Sequence, residues 1–140
     1  MNKHTKADRI QSLLEFIDSS PTPFHAVQEI TNTLSNKGFI EIKETDAWRL
    51  KPNWRYFLTR NDSSLIAFVV GSKPEFKIIG AHTDSPNLRL KPQAVYAKNG
   101  YLQLGVEVYG GVLLSTWTDR DLSLAGRVVL AGKKNPSTKL

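Results

Sequence analysis

Phe76-Lys77-Ile78-Ile79-Gly80-Ala81-His82-Thr83-Asp84-Ser85-Pro86 is the stretch from which the fold is read. An apolar run, Phe76 to Gly80, ends in a group of polar side chains closed by a proline. The run predicts a strand. Successive strand residues point to opposite faces, so His82 and Asp84, at i and i+2, are expected on one face at its carboxyl end. In open α/β sheets that end is where ligands bind.

Toward the N-terminus the pattern is helical. Thr5-Lys6-Ala7-Asp8 has the form of a capping box, in which each end residue satisfies an orphan backbone N–H. Ile10, Leu13, Leu14 and Ile17 then recur at helical spacing, and Ser19-Ser20-Pro21 stops the helix because proline lacks the ladder donor. A second helix follows, with Thr22 as N-cap, Pro23 at N1, and Val27, Ile30 and Leu34 on its buried face. Gly38 suits a left-handed terminator. From Phe39 the period becomes strand-like. Phe39–Lys43 alternates, and Tyr56–Arg60 and Leu65–Val70 flank the turn Asn61-Asp62-Ser63-Ser64. The continuously apolar Leu65–Val70 predicts a strand covered on both faces. Helices followed by such strands predict a mixed α/β layer structure.

Beyond Pro92 the texture is all-β. Val95–Lys98, Asn99-Gly100 and Tyr101–Leu104 form a hairpin signal, since a type I′ turn needs positive φ at both central positions. Val106–Tyr109, Val112–Trp117 and Arg127–Ala131 are further strand candidates, and no helical pattern follows Lys91. A soft boundary falls near Lys91-Pro92. The segment Lys133–Leu140 is polar and stops just after a strand, and four or five strands leave edges that something must cover. The chain reads as unfinished.

Composition narrows the class. Its 140 residues set a prior of one domain, and 40% hydrophobic with 23% charged residues excludes disorder, collagen and coiled coil. Zero cysteines exclude a disulfide framework and a thiolate metal site. No apolar run approaches the roughly 20 residues of a membrane span, and the basic start continues into an amphipathic segment rather than a signal peptide. A soluble, cytoplasmic protein is expected. The net charge of +6 invites a nucleic-acid reading, but lysines and arginines are spread from Lys3 to Lys139 with no run longer than Lys133-Lys134. Neither a nucleic-acid nor a membrane partner is expected.

The chemical content centres on His82 and Asp84. A neutral imidazole can ligate zinc, and a carboxylate two residues on can orient it and fix its tautomer. By spacing alone H-x-D is a weak pattern that reads first as a histidine satisfied by a carbonyl and an aspartate turning with Ser85-Pro86. His4 reads as solvated and His25 as a packing or hydrogen-bonding residue. Asp119-Arg120-Asp121 reads as a turn in which Arg120 bridges acids, against a carboxylate pair at a site. Trp117, Tyr101 and Tyr109 read as core or interface aromatics. Trp48 and Trp54 lie in a linker-like stretch, and Arg89 and Lys91 receive no role.

Three blocks, taken together, carry a resemblance: Ser20-Pro21-Thr22-Pro23-Phe24-His25-Ala26-Val27, then Gly80–Lys91, then Thr116-Trp117-Thr118-Asp119-Arg120-Asp121-Leu122-Ser123-Leu124-Ala125-Gly126-Arg127-Val128. In this order and spacing the chain resembles the aspartyl aminopeptidase family of zinc metallopeptidases. The resemblance implies a two-zinc aminopeptidase that removes N-terminal Asp or Glu from peptides, with His82 a zinc ligand and Asp84 the catalytic carboxylate. It implies an α/β/α peptidase domain interrupted by a β-rich dimerisation domain, in large tetrahedral assemblies built from dimers. Residues 1–91 then correspond to the N-terminal part of the catalytic domain, and residues 92–140 to the start of the dimerisation domain. Family members are longer. Their remaining metal ligands, bridging carboxylate and general-base glutamate lie in a C-terminal part not present in these residues.

One His and one carboxylate cannot hold two metals, because a catalytic zinc takes three protein ligands plus water. The 140 residues alone are therefore expected to be inactive. The competing expectation is an inactive interaction or oligomerisation module, and a third is a basic nucleic-acid-binding β module, which steep salt dependence would reveal.

Overall fold

The computed structural model describes residues 5–73, 75–132 and 136–140. Among the described residues, two helices, three small sheets and a short 3-10 turn make a mixed α/β chain. It divides into two compact units, Met1–Thr83 with Ala125–Leu140, and Asp84–Leu124.

In the first unit, α1 (Lys6–Asp18) starts as its capping box predicts: the Asp8 N–H donates to Thr5 Oγ1 at 3.2 Å, and the Thr5 N–H donates to Asp8 Oδ2 at 2.7 Å. Its apolar stripe is only half covered, and no residue of α1 is buried. Thr22 caps α2 (Pro23–Asn36) with Pro23 in its first turn, and Gly38 follows in the left-handed region at φ 77°. Ala26 and Val27 are buried, while Ile30 and Leu34 are half-buried. Helix α2 packs on two strands of the first sheet.

That sheet has the order β1 (Ile40–Glu41), β2 (Arg55–Arg60), β3 (Ser64–Val69), with β1 parallel and β3 antiparallel to β2. The central strand carries the core: Tyr56, Phe57 and Leu58 are buried, Phe57 to 2% exposure. The Tyr56 ring packs 5.8 Å from Phe68 and its hydroxyl accepts from the Lys51 N–H at 3.1 Å. Trp48, in the linker-like stretch, packs against Phe68 at 6.3 Å. The expectation that Leu65–Val70 is covered on both faces is not met. Strand β3 lies at the sheet edge, and side chains on both of its faces are exposed, Ile66 to 62% and Val69 to 57%.

The strand expected over Phe76–Gly80 does not form either. Residues 75–86 carry no regular structure, and Phe76, Ile78 and Ile79 are almost fully exposed. A strand exists by pairing its backbone groups, and no described strand pairs with this segment. The first unit is completed by β6 (Val128–Leu130) and β7 (Ser137–Lys139), an antiparallel pair that takes part of the polar ending into a sheet. Lys133, Lys134 and Asn135 lie outside the described residues, as does His4.

The second unit is a long hairpin, β4 (Asn87–Lys98) and β5 (Tyr101–Tyr109). Asn99 and Gly100 turn it with φ 52° and 81°, the type I′ geometry that the Asn-Gly pair predicts. Strand β4 runs through Lys91-Pro92, and between Leu90 and Val95 its pairing is interrupted by a bulge opposite Gly105. The strand expected over Val112–Trp117 is instead irregular around a 3-10 turn at Leu114–Thr116, closed by N–H donation from Thr116 to Leu113 and from Trp117 to Leu114.

Candidate functional site

The His-x-Asp block falls where the two compact units meet in sequence, between Thr83 and Asp84. With no strand over residues 75–86, the alternation that would place both side chains on one face does not operate in the structure. On the first side His82 is exposed and the neighbouring Thr83 is anchored, its Oγ1 donating to the Ser63 carbonyl at 2.7 Å.

Asp84 is half-buried, and its Oδ2 accepts a 2.6 Å hydrogen bond from the Tyr109 hydroxyl. The local fold builds this contact. Asn87 opens β4 opposite Tyr109, the last residue of β5. Immediately after it Gly110 takes φ 68°, and a Cβ there would lie 3.5 Å from Pro86 Cγ, so the two ends of the hairpin approach closely at a glycine. The Arg89 guanidinium sits 4.2 Å over the Tyr109 ring. The Tyr109 phenol is raised above its usual range, chiefly by its hydrogen bond to Asp84, then by the charge of Asp84 and by burial, with the Arg89 charge opposing.

The other candidates take structural places. His25 Nδ1 lies 2.7 Å from Thr22 Oγ1 within the N-cap of α2, the hydrogen-bonding role expected for it. Asp119, Arg120 and Asp121 lie exposed in a bend, with Asp119 at φ 56°. Arg127 bridges to Asp62 at 3.2 Å and stacks 4.1 Å over the Phe24 ring, a contact with no signal in the sequence. Tyr109 was also missed as a partner of Asp84.

Whether these residues suit zinc can be tested on the donor set. An imidazole and a carboxylate are the right kinds of group, but among the described residues no group of three or more His, Cys, Asp or Glu could hold a metal ion. The donors fit in kind and fall short in number.

Comparison with known proteins adds a second line. Residues 16–140 match the model of the peptidase M18 family, aminopeptidase I zinc metalloprotease. A "Probable M18 family aminopeptidase 2" of Clostridium acetobutylicum is 55% identical over 137 residues, covering 93% of this chain and 32% of that protein. The chain thus spans about a third of the length of the curated relatives it matches. A chain from the cryo-EM structure of an Ape4 and Nbr1 complex superposes with a TM-score of 0.90 at 44% identity, covering 99% of this chain and 29% of that one. The S. cerevesiae mApe1 dodecamer gives a TM-score of 0.81 at 29% identity, covering 97% and 33%.

Proposed function

This chain belongs to the aminopeptidase I zinc metalloprotease family, M18, and from that premise we propose that it forms part of a zinc-dependent aminopeptidase that releases N-terminal Asp or Glu from peptides. His82 is one metal ligand in this reading, and Asp84 is the catalytic carboxylate. The observation that carries it is the match over residues 16–140, which includes the whole Gly80–Lys91 block. The complete site holds two zinc ions, and its remaining ligands and general base come from outside the described residues.

Each residue has a definite task. His82 presents an imidazole nitrogen to the metal. Asp84 orients the ligand shell and supports the base that acts on water. Tyr109 holds one oxygen of Asp84. Bound zinc would supply Lewis-acid polarisation of the scissile carbonyl and a water of lowered pKa.

The preference for acidic N-termini rests on the resemblance of the three blocks, and so do the assignment of residues 1–91 to a catalytic part and of 92–140 to a β-rich dimerisation part. A homo-oligomer is part of the same reading, supported by likeness to a relative described as a dodecamer. So is a cytoplasmic location. The test is a panel of peptides differing only in the first residue, offered to the zinc-loaded enzyme from its source. Faster hydrolysis of Asp- and Glu-leading peptides than of Leu-leading ones is expected, and a preference for leucine contradicts the assigned specificity.

A second reading, a catalytically silent interaction module, is favoured by the shortfall of metal donors among the described residues. Its mark is co-purification with a larger homologue and no hydrolysis by the chain itself.

A further inference from the structure

We propose that Tyr109 is a positioning residue for Asp84, its hydroxyl fixing the carboxylate by donating to Oδ2. The inference rests on the reading of Asp84 as the catalytic carboxylate and goes beyond it by naming the group that orients it.

Three features of the second unit support the assignment. The contact is short, 2.6 Å, as expected for an O–H donor on an ionised acceptor. The tyrosine is held from two directions, by the Asn87–Tyr109 pairing of the ladder and by the Arg89 guanidinium over its ring. The chain turns directly behind it, because Gly110 in the left-handed region lies against Pro86, two residues from Asp84. A fixed donor on one carboxylate oxygen restricts the rotation of the group and helps to aim the other. The raised phenol keeps Tyr109 protonated, and so a donor, through neutral pH.

A positioning role differs from simple packing in what it moves. In the zinc-loaded enzyme, Tyr109→Phe keeps the ring and loses the donor. With an Asp-leading peptide as probe, kcat is expected to fall about ten- to a hundredfold, the usual range for residues that orient a metal-site group, with KM and bound zinc little changed. Asp84→Asn combined with Tyr109→Phe is expected to be no worse than Asp84→Asn alone, since both remove one interaction. A second measurement needs no turnover. In protein labelled with 13C at tyrosine Cζ, the resonance absent from Tyr109→Phe is expected to move on Asp84→Asn.

Unchanged kcat in Tyr109→Phe while Asp84→Asn is inactive overturns the proposal, as does a Tyr109 resonance indifferent to Asp84→Asn. Should Tyr109→Phe fail to fold, the resonance, assigned instead through the contact of the Tyr109 ring with the Arg89 side chain, decides alone. Normal turnover in Asp84→Asn overturns instead the reading of Asp84 on which the proposal stands.

Discussion

Asn87 and Tyr109 face each other across the β4–β5 ladder, three residues from the pairing that the Asn99-Gly100 turn dictates for an unbroken hairpin. Continued without interruption from Lys98 and Tyr101, the register puts Leu90 opposite Tyr109. The bulge between Leu90 and Val95 takes up the difference and brings Tyr109 to the residues just after Asp84. The candidate site thus depends on an irregularity in a strand, and the hairpin can be tested apart from the chemistry.

The turn is the simplest place to begin. Gly100 stands at φ 81° with nothing within 4 Å of where a Cβ would be, so Gly100→Ala meets no clash and isolates the backbone cost. A loss of about 1–2 kcal/mol is expected, measured as a lower urea midpoint. Gly111, also with open space but without positive φ, is the control, and Gly111→Ala is expected to change stability by less than about 0.5 kcal/mol. Equal effects at both positions contradict the turn assignment.

Phe57 tests the core. Among the described residues it is the most completely buried large side chain, on the middle strand of the first sheet. Phe57→Ala is expected to cost about 3–5 kcal/mol, a large share of the whole stability of a small domain. Circular dichroism should then show loss of the first unit's structure. A denaturation midpoint equal to that of the parent contradicts the placement of the core.

The phenol of Tyr109 gives a pH signature. Its pKa is raised from 10.0, first by the hydrogen bond to Asp84. A raised value means that the folded state holds the proton more tightly than the unfolded chain. The resulting stabilisation is complete below the unfolded value near 10 and is lost as pH rises through the higher folded value. Tyrosinate absorbance is expected to include a late ionisation from Tyr109, and Asp84→Asn is expected to move that ionisation to lower pH. A titration left unchanged by Asp84→Asn contradicts the hydrogen bond.

Local features were legible in the sequence where short-range chemistry decides them. Thr5 with Asp8, Thr22 with Pro23, Gly38, and Asn99 with Gly100 all take the roles their residue types predict, because caps and tight turns depend on neighbours a few positions away. What failed depends on distant partners. Phe76–Gly80 has the composition of a strand but no described partner, and Leu65–Val70 has the composition of a covered strand but forms an edge. Val112–Trp117 has β-prone residues, yet a 3-10 turn breaks it. At the proposed site, His82 and Asp84 stand out by residue type and by the family pattern around them. Tyr109 was not, since a bulge of unforeseeable size sets which residue of β5 reaches Asp84.

The most direct test of the central claim is to measure zinc content and turnover of an Asp-leading peptide side by side in His82→Ala and Asp84→Asn variants of the enzyme from its source. His82→Ala is expected to lose tight zinc binding and activity together, because the proposed ligand is gone. Asp84→Asn is expected to keep most of its zinc and lose most of its turnover. Normal turnover in either variant contradicts the assignment of these two residues.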